Sequence, residues 1–124
     1  MGSFDLILQG KFEEAIKESD FMFKKTKSNI EKFNKIISLL NVKKYTDAYD
    51  ESRLLLKISD GNQYYLIHSL CCILLSLNSE ALKYLELNLE GKYTDISNGI
   101  YTKMLMYYLS NNKEFLWMLE ILYY

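Results

Sequence analysis

The sequence predicts an all-α fold: a right-handed solenoid of seven or eight antiparallel helices joined as hairpins. Three observations predict it. Proline is absent and glycine is scarce, so long helices are easy and an all-β fold with many tight turns is hard. "GKFEEAIKES" at 10–19 returns 33 residues later as "KKYTDAYDES" at 43–52. Around these stretches the apolar residues follow helical spacing.

The repeat runs through the chain. From Ala15, steps of 33 lead to Ala48 and Ala81, and a step of 34 leads to Phe115. An acid precedes each anchor: Glu14, Asp47, Glu80 and Glu114. Upstream, Phe4, Ile37, Leu70 and Met104 correspond, as do Ile7, Leu40, Ile73 and Tyr107, and then Phe33, Leu66 and Ile100. Agreement of several rows at one period marks repeated supersecondary units. The units span about 1–27, 28–60, 61–92 and 93–124 of one domain.

Each unit reads as two helices. The first has a short leading helix at about 3–9, then 11–27. In the second, Ile30, Phe33, Ile36, Ile37 and Leu40 form one stripe, with Glu31, Lys32, Asn34, Lys35 and Ser38 between them. Ser28 with Glu31 reads as a capping box at its start. "NVKK" breaks the helix, and Ala48, Ser52, Leu55 and Leu56 form the next stripe, ending near "SDGN". Asp60 and Gln63 offer the next cap. The third unit covers about 62–77 and 79–90, stopped at Gly91. The fourth covers about 94–110 and 112–123.

The stretch "GKFEEAIKESDFMF", with Gly10, Phe12 and Ala15, resembles the second helix of a tetratricopeptide repeat. "KKYTDAYDESRLLL" matches it with Tyr45 and Ala48, and "NSEALKYLELNL" keeps Ala81. The resemblance implies that the alanine sits where two helices of a unit cross closely. Departures mark a degenerate relative or another helical-hairpin solenoid of similar period: no proline ends a unit, and Phe115 replaces the small anchor. The family mostly holds peptides or whole partner proteins, so the resemblance implies protein binding.

Composition narrows the function. Hydrophobic residues make up 49% and charged residues 25%, as in ordinary globular domains. The net charge is −1 and the pI about 5.8, which argues against a nucleic-acid reader, whose electrostatic footprint is basic. Arg53 is the single arginine, so guanidinium forks for phosphate are nearly lacking. "MGSFDLILQG" lacks the charged and apolar regions of a secretory signal, and Leu6 breaks the myristoylation pattern. The run Tyr64–Leu77 is too short to span a bilayer. The expected address is the cytoplasm, with no membrane partner. Lysine in place of arginine, with many Ile, Asn and Tyr, suggests an AT-rich bacterial or phage genome.

No catalytic residue, cofactor or metal is expected. His68 and Cys72, four apart, share one helical face, and a Cys–His pair can form an activated thiolate. They lie within "YYLIHSLCCILLSL", the most apolar helix, beside Cys71 and with no second histidine. The reading is a buried histidine and buried thiols. The row of acids fits helix first turns, where carboxylates meet the helix dipole. Glycine-rich phosphate loops and nucleophile elbows are lacking.

What remains is asymmetry. Residues 1–62 hold 21 of the 31 charged residues, while 11 of the 18 aromatics lie in 63–124. The end, "EFLWMLEILYY", is apolar nearly all round, whereas a terminal solenoid helix needs a polar outer face. The expected partner-binding residues are therefore Met104, Tyr107, Tyr108, Trp117, Tyr123 and Tyr124, covered by another protein or by a second copy. A groove around Lys35, Ser38, Asn41 and Gln63 is the other expected surface. The expected function is non-catalytic: an immunity-type protein masking a toxin, or else a peptide-binding regulator or scaffold. A Cys/His enzyme on Cys72 and His68 is the rival.

Overall fold

The structure, a computed structural model, describes residues 2–59 and 62–90. Among the described residues it is all-α, with six helices and no strand. They are α1 (Ser3–Leu8), α2 (Phe12–Thr26), α3 (Asn29–Asn41), α4 (Tyr45–Ile58), α5 (Asn62–Leu74) and α6 (Asn78–Glu90). The second and third helix pairs start at Asn29 and Asn62, as the 33-residue period requires. The two helices expected over 94–110 and 112–123, the expected cap residue Asp60 and the stop at Gly91 lie outside the described residues. The chain divides into two compact units, Met1–Asp60 and Gly61–Tyr124.

Within the first unit α1 packs on α2 and α3, and α3 packs on α2 and α4. Within the second, α5 packs on α6. Each of these three hairpins closes in the same way. A residue in the left-handed region sits at Gly10 (φ 75°), Lys43 (φ 64°) and Ser76 (φ 61°), one every 33 residues. The next amide reaches back five residues: Lys11 to Leu6, Lys44 to Leu39 and Leu77 to Cys72, at 2.8–2.9 Å. The left-handed residue's own amide reaches back three, to Ile7, Leu40 and Ile73. This pair of bonds satisfies carbonyls that a helix end leaves open. The turn at Ser76 ends α5 at Leu74, three residues before the expected 77.

The helices that follow begin alike. Acids stand in their first turns: Glu13 and Glu14 in α2, Asp47 in α4, Glu80 in α6. These carboxylates meet the positive end of the helix dipole. One turn in, Ala15, Ala48 and Ala81 are all fully buried.

In the leading helices the inward rows lie one residue before the expected ones, although Ile36 of the expected α3 stripe is fully buried. The buried rows are Ser3, Ile36 and Ser69, then Leu6, Leu39 and Cys72. The expected row one residue later is less covered, and Phe4 is 60% exposed. In α3, Ile30 is exposed, while Asn34 and Ser38, read as polar-face residues, are buried. The reason is that α3 is covered by three helices, so little of it faces water. Its buried polar groups are satisfied: Asn34 Nδ2 donates to Ser3 Oγ at 2.9 Å, and Ser38 Oγ donates to the Asn34 carbonyl at 3.0 Å. Ser3 Oγ in turn donates to Glu31 Oε2 at 2.8 Å. Neither half of the expected capping box forms: Ser28 is the N-cap but makes no side-chain cap bond, the Ser28 amide donates to Thr26 Oγ1, and the Glu31 carboxylate ties α3 to α1.

Candidate functional site

Two side-chain constellations carry chemistry, one in each unit. In the first, α2, α3 and α4 enclose a groove of about 400 Å³ lined by Ile16, Asp20, Lys35, Leu39, Lys44, Asp47, Asp50 and Glu51. That volume lies within the range of ordinary ligand sites. Leu39 and Ile16 supply apolar surface, and the rest of the lining is charged.

Helical spacing places these charges. Lys32 and Lys35 are three apart on α3 and both reach Glu51 on α4, at 2.7 and 2.9 Å. Lys35 also meets Asp20 on α2 at 2.8 Å. One chain of alternating charge, Lys32–Glu51–Lys35–Asp20, thus joins three helices. Lys32 lies over the Phe23 ring at 4.6 Å as well, a cation–π contact. Burial alone would raise the Glu51 pKa, but the ammonium groups of Lys32 and Lys35 outweigh it and hold the carboxyl below its usual range. Burial alone would lower the Lys35 pKa, but Asp20 and Glu51 reverse it and hold the ammonium above its usual range.

The pH dependence follows from these signs. Glu51, with a depressed folded pKa, contributes stability above the unfolded carboxylate pKa of about 4.3 and loses it as pH falls through the folded value. Lys35, with a raised folded pKa, contributes below about 10.4 and loses it as pH rises through its folded value. Glu51→Gln is expected to cost about 1 kcal/mol at pH 7. Urea titrations at pH 7 and pH 3 check this: the difference between parent and variant shrinks in acid. An unchanged difference at pH 3 means the ionised carboxylate is not what matters.

In the second unit the α5–α6 hairpin gathers His68, Cys72 and Glu80. Their ligating atoms all lie within 4.8 Å of one another. His68 and Cys72 face one way because they are one turn apart on α5. Glu80 reaches them from the first turn of α6 across the tight Leu75–Leu77 connection. Glu80 Oε2 lies 2.9 Å from His68 Nε2 and accepts from Cys72 Sγ at 3.1 Å. Tyr84 meets the His68 ring edge-on, with centroids 4.6 Å apart. His68, Cys71 and Cys72 are buried, while the Glu80 side chain is 36% exposed.

Burial first, and then the Glu80 carboxylate, push the Cys72 thiol well above its ordinary pKa. An activated thiolate needs the reverse: a base that takes the thiol proton and a positive neighbour. Here the carboxylate stands between thiol and imidazole and accepts from both. Neither cysteine is expected to react with an aromatic disulfide reagent at pH 8 while the protein is native, and both should react in denaturant. Rapid native labelling of Cys72 would revive the thiol-enzyme reading.

Of the residues expected to bind a partner, Met104, Tyr107, Tyr108, Trp117, Tyr123 and Tyr124 lie outside the described residues. Of the second expected surface, Lys35 lines the groove. Ser38 does not: it is fully buried and bonded to the backbone. Asn41 is exposed, with its amide on the Ile37 carbonyl at 2.8 Å. Gln63 is exposed in the second unit. The sequence reading missed Asp20, Asp50 and Glu51 in the groove, and it missed Glu80 as a partner of the Cys–His pair. The single signal for Glu80 was its place in the row of acids.

No family model matches the chain, and no characterised protein matches it either.

Proposed function

We propose that the chain is a non-catalytic protein-binding module, a tetratricopeptide-like right-handed solenoid that presents a surface rather than a reaction. The observation that carries this reading is the set of three hairpins closed by one left-handed turn every 33 residues. Packing of α1 on α3, helices at equivalent places in successive repeats, supports it. Stacked repeats of this kind bury a continuous core and leave extended binding surfaces.

The groove lining holds four acids and two lysines, a balance that suits a basic partner surface. Proteins that act on nucleic acid carry such surfaces, so the proposed job is that of an immunity-type protein in a bacterial cytoplasm, masking a nucleic-acid-directed toxin. The second reading is a regulator or scaffold that captures a short basic peptide. The groove's volume and its apolar floor of Ile16 and Leu39 favour it. Either job leaves nucleic acid and membranes unbound. No described helix is long and apolar enough to cross a membrane. Met104 and the C-terminal aromatics Tyr107, Tyr108, Trp117, Tyr123 and Tyr124 provide a further partner face, or a homodimer contact, in the same proposal.

The test is co-purification with the product of the neighbouring gene, repeated with the double variant Asp47→Lys/Asp50→Lys. Both positions are exposed, so the fold should survive. Binding that weakens at least about tenfold, with a steep salt dependence, supports the groove. Unchanged binding in that variant, together with loss in Tyr108→Ala or Tyr124→Ala, moves the interface to the C-terminal face. A monomer by sedimentation velocity removes the homodimer.

A further inference from the structure

We propose that His68, Cys72 and Glu80 form a binding site for a divalent cation of the zinc class, clasping α5 to α6. The site is independent of the partner-binding proposal and lies within the second unit alone.

Three observations carry it. The donor set is mixed nitrogen, sulfur and oxygen, one atom from each side chain, gathered within 4.8 Å. Imidazole and thiolate select zinc, cobalt or nickel over magnesium and calcium, which prefer all-oxygen shells. A tetrahedral zinc site with bonds of 2.0–2.3 Å needs its donors about 3.3–3.8 Å apart. The contacts of 2.9 and 3.1 Å through Glu80 Oε2 are a few tenths of an ångström short of that. The metal therefore has to push Glu80 back only slightly, while all three donors already lie within 4.8 Å of one another.

The charges also balance. Binding converts Cys72 S–H to thiolate and releases that proton to solvent. The Nε2 proton that His68 shares with Glu80 in the metal-free cluster is given up to solvent and the neutral imidazole keeps its one proton on Nδ1, leaving Nε2 to coordinate. Thiolate and carboxylate then offset the two positive charges of the metal. A buried site with no net charge avoids the large cost of an unpaired buried ion. The metal-free cluster holds itself together through hydrogen bonds in which protons occupy the metal's place. Glu80 provides the approach, being the one ligand substantially open to water. The fourth position falls to a water on that side. Tyr84 keeps the imidazole ring in place from the side.

Cobalt(II) is the probe, titrated into the full chain after dialysis against a chelator. The expected result is one equivalent bound, with a thiolate-to-cobalt charge-transfer band in the near ultraviolet and the visible absorption of a four-coordinate ion, both displaced by zinc(II). Cys72→Ala should abolish the charge-transfer band, and Cys71→Ala should leave it intact. Glu80→Gln should weaken binding by at least about tenfold. Zinc should raise the Tm of the parent and leave that of Cys72→Ala unchanged. If Cys72→Ala fails to fold by circular dichroism, Glu80→Gln decides, since its side chain is partly exposed. A parent without the charge-transfer band overturns the proposal. So does a band that survives in Cys72→Ala, or one that Glu80→Gln leaves at full affinity.

Discussion

Replacing Ile36 by alanine is expected to lower the free energy of unfolding by about 2–5 kcal/mol. Ile36 is fully buried at the middle of α3. That helix packs on α1, α2 and α4, which limits how far the surroundings can shift to fill a void. The loss combines the lost transfer energy of the removed carbons with a cavity term. Urea unfolding followed by circular dichroism measures it. Ile37→Ala, on the half-buried face of the same helix, is the control and should cost clearly less. Equal costs at 36 and 37 would mean that α3 is rotated from the orientation described.

The second large effect comes from adding volume. Ala48→Leu is expected to cost about 1–3 kcal/mol, because extra methylenes at a fully buried position force side chains or backbone out of place. Ala48 is 0% exposed, as are Ala15 and Ala81, so leucine at any of the three should behave alike. Thr46→Leu, two residues from Ala48 and exposed, should stay within about 0.5 kcal/mol of the parent. If Ala48→Leu unfolds like the parent while Ala15→Leu does not, the alanines are not equivalent crossings and the structural repeat fails at the second hairpin.

These alanines were legible in the sequence because a small residue recurring at one period has few explanations other than close approach. Helix order and the starts at Asn29 and Asn62 were legible for the same reason. The inward face of the leading helices was not. Ser3, Ser69 and Cys72 carry small or polar side chains, so a search for apolar stripes passes over them and settles on Phe4, Ile37 and Leu70 one residue away. Asn34 and Ser38 misled in the same direction, since their burial depends on partners supplied by another helix and by the backbone. Glu31 matched a capping spacing, but its carboxylate is used 28 residues away, at Ser3. The sites were half legible. His68 and Cys72 announced themselves by spacing, whereas Glu80 and Glu51 act across a turn or a helix pair, where one-dimensional spacing carries no information.

The three connectors closed by Gly10, Lys43 and Ser76 are each three residues long: 9–11, 42–44 and 75–77. Only the first uses glycine, and a Cβ there would meet nothing within 4 Å. Lysine and serine hold the same backbone shape at a cost of about 1–2 kcal/mol each. Their closing bonds run between main-chain atoms, so side-chain identity at these positions is free to drift over generations. Length is not. Deleting one residue would swing the following helix by about 100° about its own axis and shift it by about 1.5 Å. Ala15, Ala48 or Ala81 would then leave the crossing and a bulky neighbour would enter it. Surviving descendants of such a chain would differ in the letters at positions 10, 43 and 76 while keeping the three-residue count of each connector.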